Sequence, residues 1–180
     1  IGTFKVKRAY GWNITPYLNA TVIVYGDNVS VIGGVVNKHL ASPTGIITFT
    51  DGLKTDSYTL TVDDKGNFKL TLVNVTSGLK NFTILYSGDT NYSDMNYTIQ
   101  KEVDKYPITL NITSITPLDT TYPDTITVKG NILYPDYLPA PTGTLTITLG
   151  DKTVTAVLDG GNFTATFVGV KPGNYTNITL

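Results

Sequence analysis

Apolar and polar residues alternate along most of this chain, and no segment carries apolar residues at helical spacing. In the first half Val29, Val31, Gly33 and Val35 share one face of a strand. Ile47 and Phe49 follow, then Tyr58, Leu60 and Val62, then Phe68, Leu70 and Leu72. Phe82, Ile84 and Tyr86 come next, and Tyr97, Ile99 and Val103 close the set. The second half opens with Ile126, Val128, Gly130 and Ile132, and continues with Leu145, Ile147 and Leu149. Val154, Ala156 and Leu158 precede Phe163, Ala165 and Phe167, and Ile178 and Leu180 end the series. Turn formers separate the runs, among them Asp51-Gly52, Asp64-Lys65-Gly66, Ser87-Gly88-Asp89 and Asp159-Gly160-Gly161. About seven short strands per hundred residues, each with one buried face, predict an all-β chain built of β-sandwiches.

The two halves are copies. Pro43-Thr44-Gly45-Ile46 returns as Pro141-Thr142-Gly143-Thr144, and Asn13-Ile14-Thr15 as Asn111-Ile112-Thr113, both ninety-eight residues on. Gly66-Asn67-Phe68 returns as Gly161-Asn162-Phe163, and Asn81-Phe82-Thr83 as Asn177-Ile178-Thr179. A fixed period marks an array of like structural units. The expected layout is a last strand of a preceding repeat over residues 1–10, a repeat over 11–105, and a repeat lacking its last strand over 106–180. An odd strand count puts the two ends of each sandwich apart. Copies joined by a short link such as Asp104-Lys105-Tyr106-Pro107, stiffened by its proline, would then stack lengthwise into a rod. The two chain ends also match one another. A strand at residues 3–8, from an identical subunit or from one continuing chain, would complete a repeat of the type that ends at Leu180.

Composition narrows the class. Thr and Tyr are abundant, while Glu, Gln, Met and Trp occur once each, a strand-favouring balance. A net charge of −1 offers no basic field to nucleic acid. No stretch approaches the roughly 20 apolar residues of a membrane span. With no cysteine, neither disulfides nor thiolate zinc sites are available.

The compartment is carried by the asparagines. Asn-x-Ser/Thr occurs at Asn13, Asn19, Asn28, Asn74, Asn81, Asn91, Asn96, Asn111, Asn162, Asn174 and Asn177, eleven of the fourteen asparagines. With 38 Ser and Thr in 180 residues, random order would give roughly three. The excess points to an exported, N-glycosylated protein at the cell surface or cell wall. The strand register agrees: Asn81 alternates with Phe82, Asn162 with Phe163, and Asn111 with Leu110 and Ile112, so each amide should point outward. Asn91 and Asn96 are expected in a loop.

Catalysis has little to work with. His39 is the only histidine and Glu102 the only glutamate, so a Ser-His-acid triad or a histidine metal cluster needs partners that the chain barely has, and His39 reads as a surface loop residue. Most carboxylates are turn aspartates, as in Asp63-Asp64-Lys65-Gly66-Asn67, where Asp accepts local backbone hydrogen bonds. No cofactor is expected. The nearest candidate is calcium at Asp89, Asn91 and Asp94, or at a joint between copies. An internal crosslink would need an inward pair, but Lys69 and Lys129 alternate outward and the sole glutamine, Gln100, has Lys5 in its place in the preceding copy. Tyr10, Trp12, Tyr17, Tyr134, Tyr137 and Tyr175 fall outside the strand alternation. They either plug the sandwich ends and copy-to-copy joints or form an exposed patch for a glycan or protein ligand.

Pro-Thr-Gly, an alternating strand, a Gly-Asn-Phe hairpin and a glycine ahead of the sixth strand lead to Tyr86-Ser87-Gly88-Asp89-Thr90-Asn91-Tyr92. The series closely resembles the bacterial Ig-like repeat that ends in Tyr-Ser-Gly-Asp-x-Asn-Tyr, over nearly the whole chain, although only the first copy carries the closing motif. The resemblance implies tandem Ig-like β-sandwiches in a linear array within a large surface protein. The adhesin-like proteins of methanogenic archaea and bacterial adhesins are of this kind, and the sequon content leans toward an archaeal envelope. It implies no catalytic residues. The expected function is a structural repeat segment of a surface glycoprotein that forms a stalk, sheath or fibre and supports adhesion. Its partners would be neighbouring repeats of the same chain or identical subunits in a fibre. The alternative is a module that grips a surface glycan or protein through its loops and exposed aromatics.

Overall fold

A computed structural model describes residues 2–37, 41–176, 178 and 179. The chain divides between Tyr106 and Pro107 into two compact units. His39, Asn177 and Leu180 lie outside the described residues.

The first unit packs two antiparallel sheets face to face. Strands β1 (Trp12–Leu18), β2 (Val29–Val35) and β5 (Asn67–Leu72) form one sheet in the order β1-β2-β5. Strands β3 (Gly45–Thr50), β4 (Thr55–Leu60), β6 (Gly78–Tyr86) and β7 (Met95–Val103) form the other in the order β4-β3-β6-β7. The period-2 pattern selects the faces. Val29, Val31, Val35, Phe68, Leu70 and Leu72 point in from one sheet, and Ile47, Phe49, Phe82, Ile84 and Tyr86 from the other, all buried. Burying each such side chain stabilises the sandwich by roughly 1.5–3 kcal/mol. One expectation fails here. Val62, assigned by alternation to the strand of Tyr58 and Leu60, lies instead in a 3₁₀ turn, Val62–Asp64, and is exposed. The cause is Asp64, whose Oδ2 accepts the Thr61 N–H at 2.6 Å and turns the chain out of the sheet.

Within this unit the chain arrives and departs at opposite ends. Ala9 pairs with the loop before β7: its N–H donates to Asn91 O and its carbonyl accepts from Ser93 N–H, both at 2.9 Å. Departure is at Asp104, whose N–H donates to Ile23 O at 2.8 Å just past the far end of β7. The length of β7, about 25 Å at strand rise, separates the two points. Residues 2–8 are exposed and hold no strand.

The second unit repeats the first, strand for strand, through its fifth. Strands β8 (Thr109–Thr116), β9 (Thr125–Leu133) and β12 (Asn162–Val168) form a sheet ordered β8-β9-β12, and β10 (Thr144–Leu149) pairs with β11 (Lys152–Val157). Val128, Ile147, Ala156, Phe163, Ala165 and Phe167 make its core. The copying extends to single residue pairs. Thr50 pairs with Thr83 in the first unit, and their counterparts Thr148 and Thr179 form an isolated antiparallel bridge in the second.

Candidate functional site

The described sequon asparagines share one property. Asn13, Asn19, Asn28, Asn74, Asn81, Asn91, Asn96, Asn111, Asn162 and Asn174 are all exposed. Alternation explains the strand members: Asn81 is exposed while Phe82 beside it is buried, and Asn162 is exposed while Phe163 is buried. Asn96, expected in a loop, is instead the second residue of β7, opposite Leu85 on β6. The start of that strand could not be placed because the loop motif before it is itself polar.

Several of these side chains are anchored through the carbonyl and not the nitrogen. Asn19 Oδ1 accepts the Ser30 N–H at 2.9 Å, Asn28 Oδ1 the Asn74 N–H at 3.1 Å, and Asn81 Oδ1 the Gln100 Nε2 at 3.2 Å. Anchoring through oxygen orients the amide and leaves its nitrogen, the atom that carries a glycan, outward. Asn111 and Asn162 differ, because their Nδ2 groups donate, to Asn131 Oδ1 at 3.1 Å and to Gly160 O at 3.3 Å. A glycosylated amide keeps one N–H, so such a bond and a sugar are compatible.

The closing motif Tyr86–Tyr92 turns out to be half of a clasp whose other half is Pro43-Thr44-Gly45. Asp89 holds both sides. Its Oδ2 accepts the Thr44 N–H at 2.8 Å and the Thr44 hydroxyl at 3.1 Å. Its Oδ1 accepts the N–H groups of Asn91 at 2.7 Å and Tyr92 at 2.8 Å. Ser87 Oγ accepts the Ile46 N–H at 2.9 Å, and the Tyr86 hydroxyl donates to Thr44 O at 2.6 Å. The Tyr92 hydroxyl donates to Ala41 O at 2.5 Å. Gly45 completes the fit, with φ at +104° and room for no side chain: a Cβ there would lie 2.6 Å from Gly88 O.

This geometry sets the charges. Partial burial works against ionising Asp89, but hydrogen bonds from Thr44, Asn91 and Tyr92 outweigh it and hold the carboxyl below the usual carboxylate range. Burial first, then the negative charge of Asp89, pushes the Tyr86 phenol well above its ordinary value. Four donors on one carboxylate engage about all the lone pairs it has, so Asp89 is bound into the fold by Thr44, Asn91 and Tyr92. Among the described residues no three Asp, Glu or His side chains cluster as metal ligands would.

The six aromatics outside the strand alternation have different surroundings. Trp12 packs edge-on against Phe68, with ring centroids 6.2 Å apart, and belongs to the first core. Tyr134 lies over Gly161, and Tyr175 over Gly150 with its hydroxyl donating to Lys171 O at 2.7 Å. Tyr10, Tyr17 and Tyr137 stay exposed. Lys69 and Lys129 point to solvent, and Gln100 faces Asn81 on the outer surface. The clasp is the feature that sequence reasoning missed. Its Pro-Thr-Gly half recurs in the chain and its other half is the closing motif of the first copy, but nothing in a one-dimensional pattern says that a loop after the sixth strand closes on the start of the third.

Comparison with known proteins places the first unit. Residues 17–103 match the family model of the bacterial Ig-like domain (group 3). A solved structure of the fibronectin(III)-like modules of Clostridium thermocellum CbhA is similar at a TM-score of 0.36 and 10% identity, covering 87% of this chain and 80% of that one. That likeness is too slight to support an inference. No curated protein matches the chain. The chain is all-β, and its first unit has an Ig-like fold.

Proposed function

We propose that this chain is a structural segment of an exported, N-glycosylated surface protein, in which Ig-like repeats form a stalk, sheath or fibre that supports adhesion. The observation that carries the reading is the exposure of the ten described sequon asparagines. A polar residue is mostly exposed in any protein, but exposure on both strand faces and loops of both units is what dense glycosylation needs. The stalk reading draws on a second feature. The first unit receives the chain at Ala9 and releases it at Asp104, a strand length away, so each such repeat adds length. Its specific loop motif is consumed in closing the sandwich and leaves little for a ligand.

Protease shaving of intact cells tests the location. Release of peptides from this chain without lysis is the expected result, and their appearance only after lysis contradicts the proposal.

A further inference from the structure

Two strands hold the same outer place in the two units, and only one of them is closed to further pairing. Strand β4 is outermost in the order β4-β3-β6-β7, and β11 flanks β10 as β4 flanks β3. The repeat sets Asp56, opposite Phe49, in the place of Val154, opposite Ile147. An edge strand turns every second pair of N–H and C=O groups away from its neighbour, which makes it a template for another strand. On β11 the register is readable from one bond: the Leu158 N–H donates to Gly143 O at 2.9 Å. Residues of that parity, 154 and 156, face β10, so Thr153, Thr155 and Val157 turn their main-chain groups to the open side.

Asp56 closes this side of the first unit. Its Oδ1 accepts the N–H of Ser57, the counterpart of Thr155, at 2.9 Å. Its Oδ2 accepts the N–H of Thr71 on β5, the neighbouring edge of the other sheet, also at 2.9 Å. Tyr58 adds bulk, with its hydroxyl donating to Asp64 Oδ1 at 2.9 Å. A charge on the inner face of an edge strand blunts strand addition. The second unit has no such guard. Val154 can accept neither bond, Ala156 stands in the place of Tyr58, and residues 153–158 carry no charge. Val157 on this edge is 70% exposed. No sequon lies between Asn111 and Asn162, so the proposed glycans would leave β9, β10 and β11 bare.

We infer that β11 is a pairing edge for the β11 of a second copy of this chain, the two strands running antiparallel about a two-fold axis at Thr155. That register sets Thr155 opposite Thr155 and Thr153 opposite Val157 of the other copy, so all three open residues find partners at once. Neutrality selects the occupant. A charged peptide finds no opposite charge along residues 153–158, whereas an identical edge brings β-branched side chains against β-branched side chains with no like charges opposed between them. Each repeat adds length in the stalk reading; this pairing goes beyond it and ties chains side by side. It depends on the contrast between β4 and β11, and not on location or glycans.

The chain has no cysteine, so a thiol introduced at the axis reports the pairing. Thr155→Cys sets two thiols directly opposite each other, at a Cα separation of about 5.5 Å that a disulfide can span. Recombinant chain without sugars is treated with mild oxidant at one fixed concentration. Thr155→Cys should form the disulfide dimer at least about tenfold faster than Ser57→Cys, its match on the closed edge, because pairing raises the effective concentration of the thiols. Val154→Asp, which restores the guard, should bring that rate down to the Ser57→Cys level. Val157→Lys should do the same, at a site exposed enough for the fold to tolerate the change. Equal rates for Thr155→Cys and Ser57→Cys overturn the inference, and so does a fast rate that neither added charge reduces. Sugars and cell surface are absent from this measurement, so its failure and the failure of the stalk reading are told apart.

Discussion

Gly33 lies directly across the sheet from Phe68, and a Cβ on it would come within 2.4 Å of the ring's Cζ. The same pair recurs as Gly130 and Phe163, again directly opposed and again at 2.4 Å. Both glycines sit in mid-strand on the buried face, where glycine ordinarily weakens a strand. The ring of the neighbouring strand occupies the space that a side chain would take.

Gly33→Ala should therefore destabilise the first unit by about 1–3 kcal/mol through overpacking. In a Phe68→Ala background the same change should cost little, giving a coupling on the order of 1 kcal/mol or more. Gly130→Ala should be the worse of the two, because its Cβ would also meet the backbone oxygen of Asn111 at 2.3 Å. Trp12, the only tryptophan, packs on Phe68 and reports the first unit by fluorescence during denaturant unfolding. Far-UV circular dichroism follows both units together, so the second is read as the transition that Trp12 fluorescence does not show.

The clasp predicts a clear mutational signature. Asp89→Asn puts an N–H group where Oδ1 or Oδ2 now accepts, and should cost the first unit about 2–3 kcal/mol. Tyr86→Phe removes the hydroxyl bonded to Thr44 O and should cost about 1 kcal/mol. The two changes act on one network, so their sum should differ from the double variant. Strict additivity in Trp12-monitored unfolding contradicts the clasp.

Stability should fall at both ends of the pH scale. Asp89 is held below its unfolded value. Its contribution is complete above about pH 4 and is lost as pH drops through the folded value. Tyr86 is held above its ordinary value of 10.0. The unfolded chain ionises first, so stability declines as pH rises past about 10. Unfolding midpoints of the wild-type chain and the Asp89→Asn variant should converge in acid. A constant gap between them at all pH values would show that the carboxylate charge is not involved.

Calcium gives a further check. With the Asp89 oxygens engaged by Thr44, Asn91 and Tyr92, millimolar calcium or a chelator should leave the melting midpoint of the first unit where it is. A calcium-dependent rise would mean that the loop exchanges those hydrogen bonds for a cation.

Much of this architecture is written in the alternation. Period alone puts Val29, Val31, Gly33 and Val35 on one face, and they are buried together, because burial on one side of a pleated strand enforces period 2. What alternation cannot show is who stands opposite. Gly33 looks like one more small core residue until Phe68 is seen across from it. Val62 continued the pattern of Tyr58 and Leu60 but was turned outward by a local Asp64 contact, a side-chain-to-backbone bond that overrides periodicity. Asp89 in a polar loop admits both a turn reading and a cation reading, because oxygen-rich loops look alike in one dimension. Only the fold reveals that its partners are Thr44 and the loop's own amides.

The proposed surface role turns on whether the outward asparagines carry sugar. Intact mass of the protein isolated from its native source, before and after glycan release, with glycopeptides mapped to individual asparagines, decides it. The prediction is a mass above that of the bare polypeptide, collapsing on release, with sugar on several of the sites at Asn13, Asn19, Asn28, Asn74, Asn81, Asn91, Asn96, Asn111, Asn162 and Asn174. A native mass equal to that of the bare polypeptide, with all of these asparagines unmodified, would contradict a role as a glycosylated surface segment.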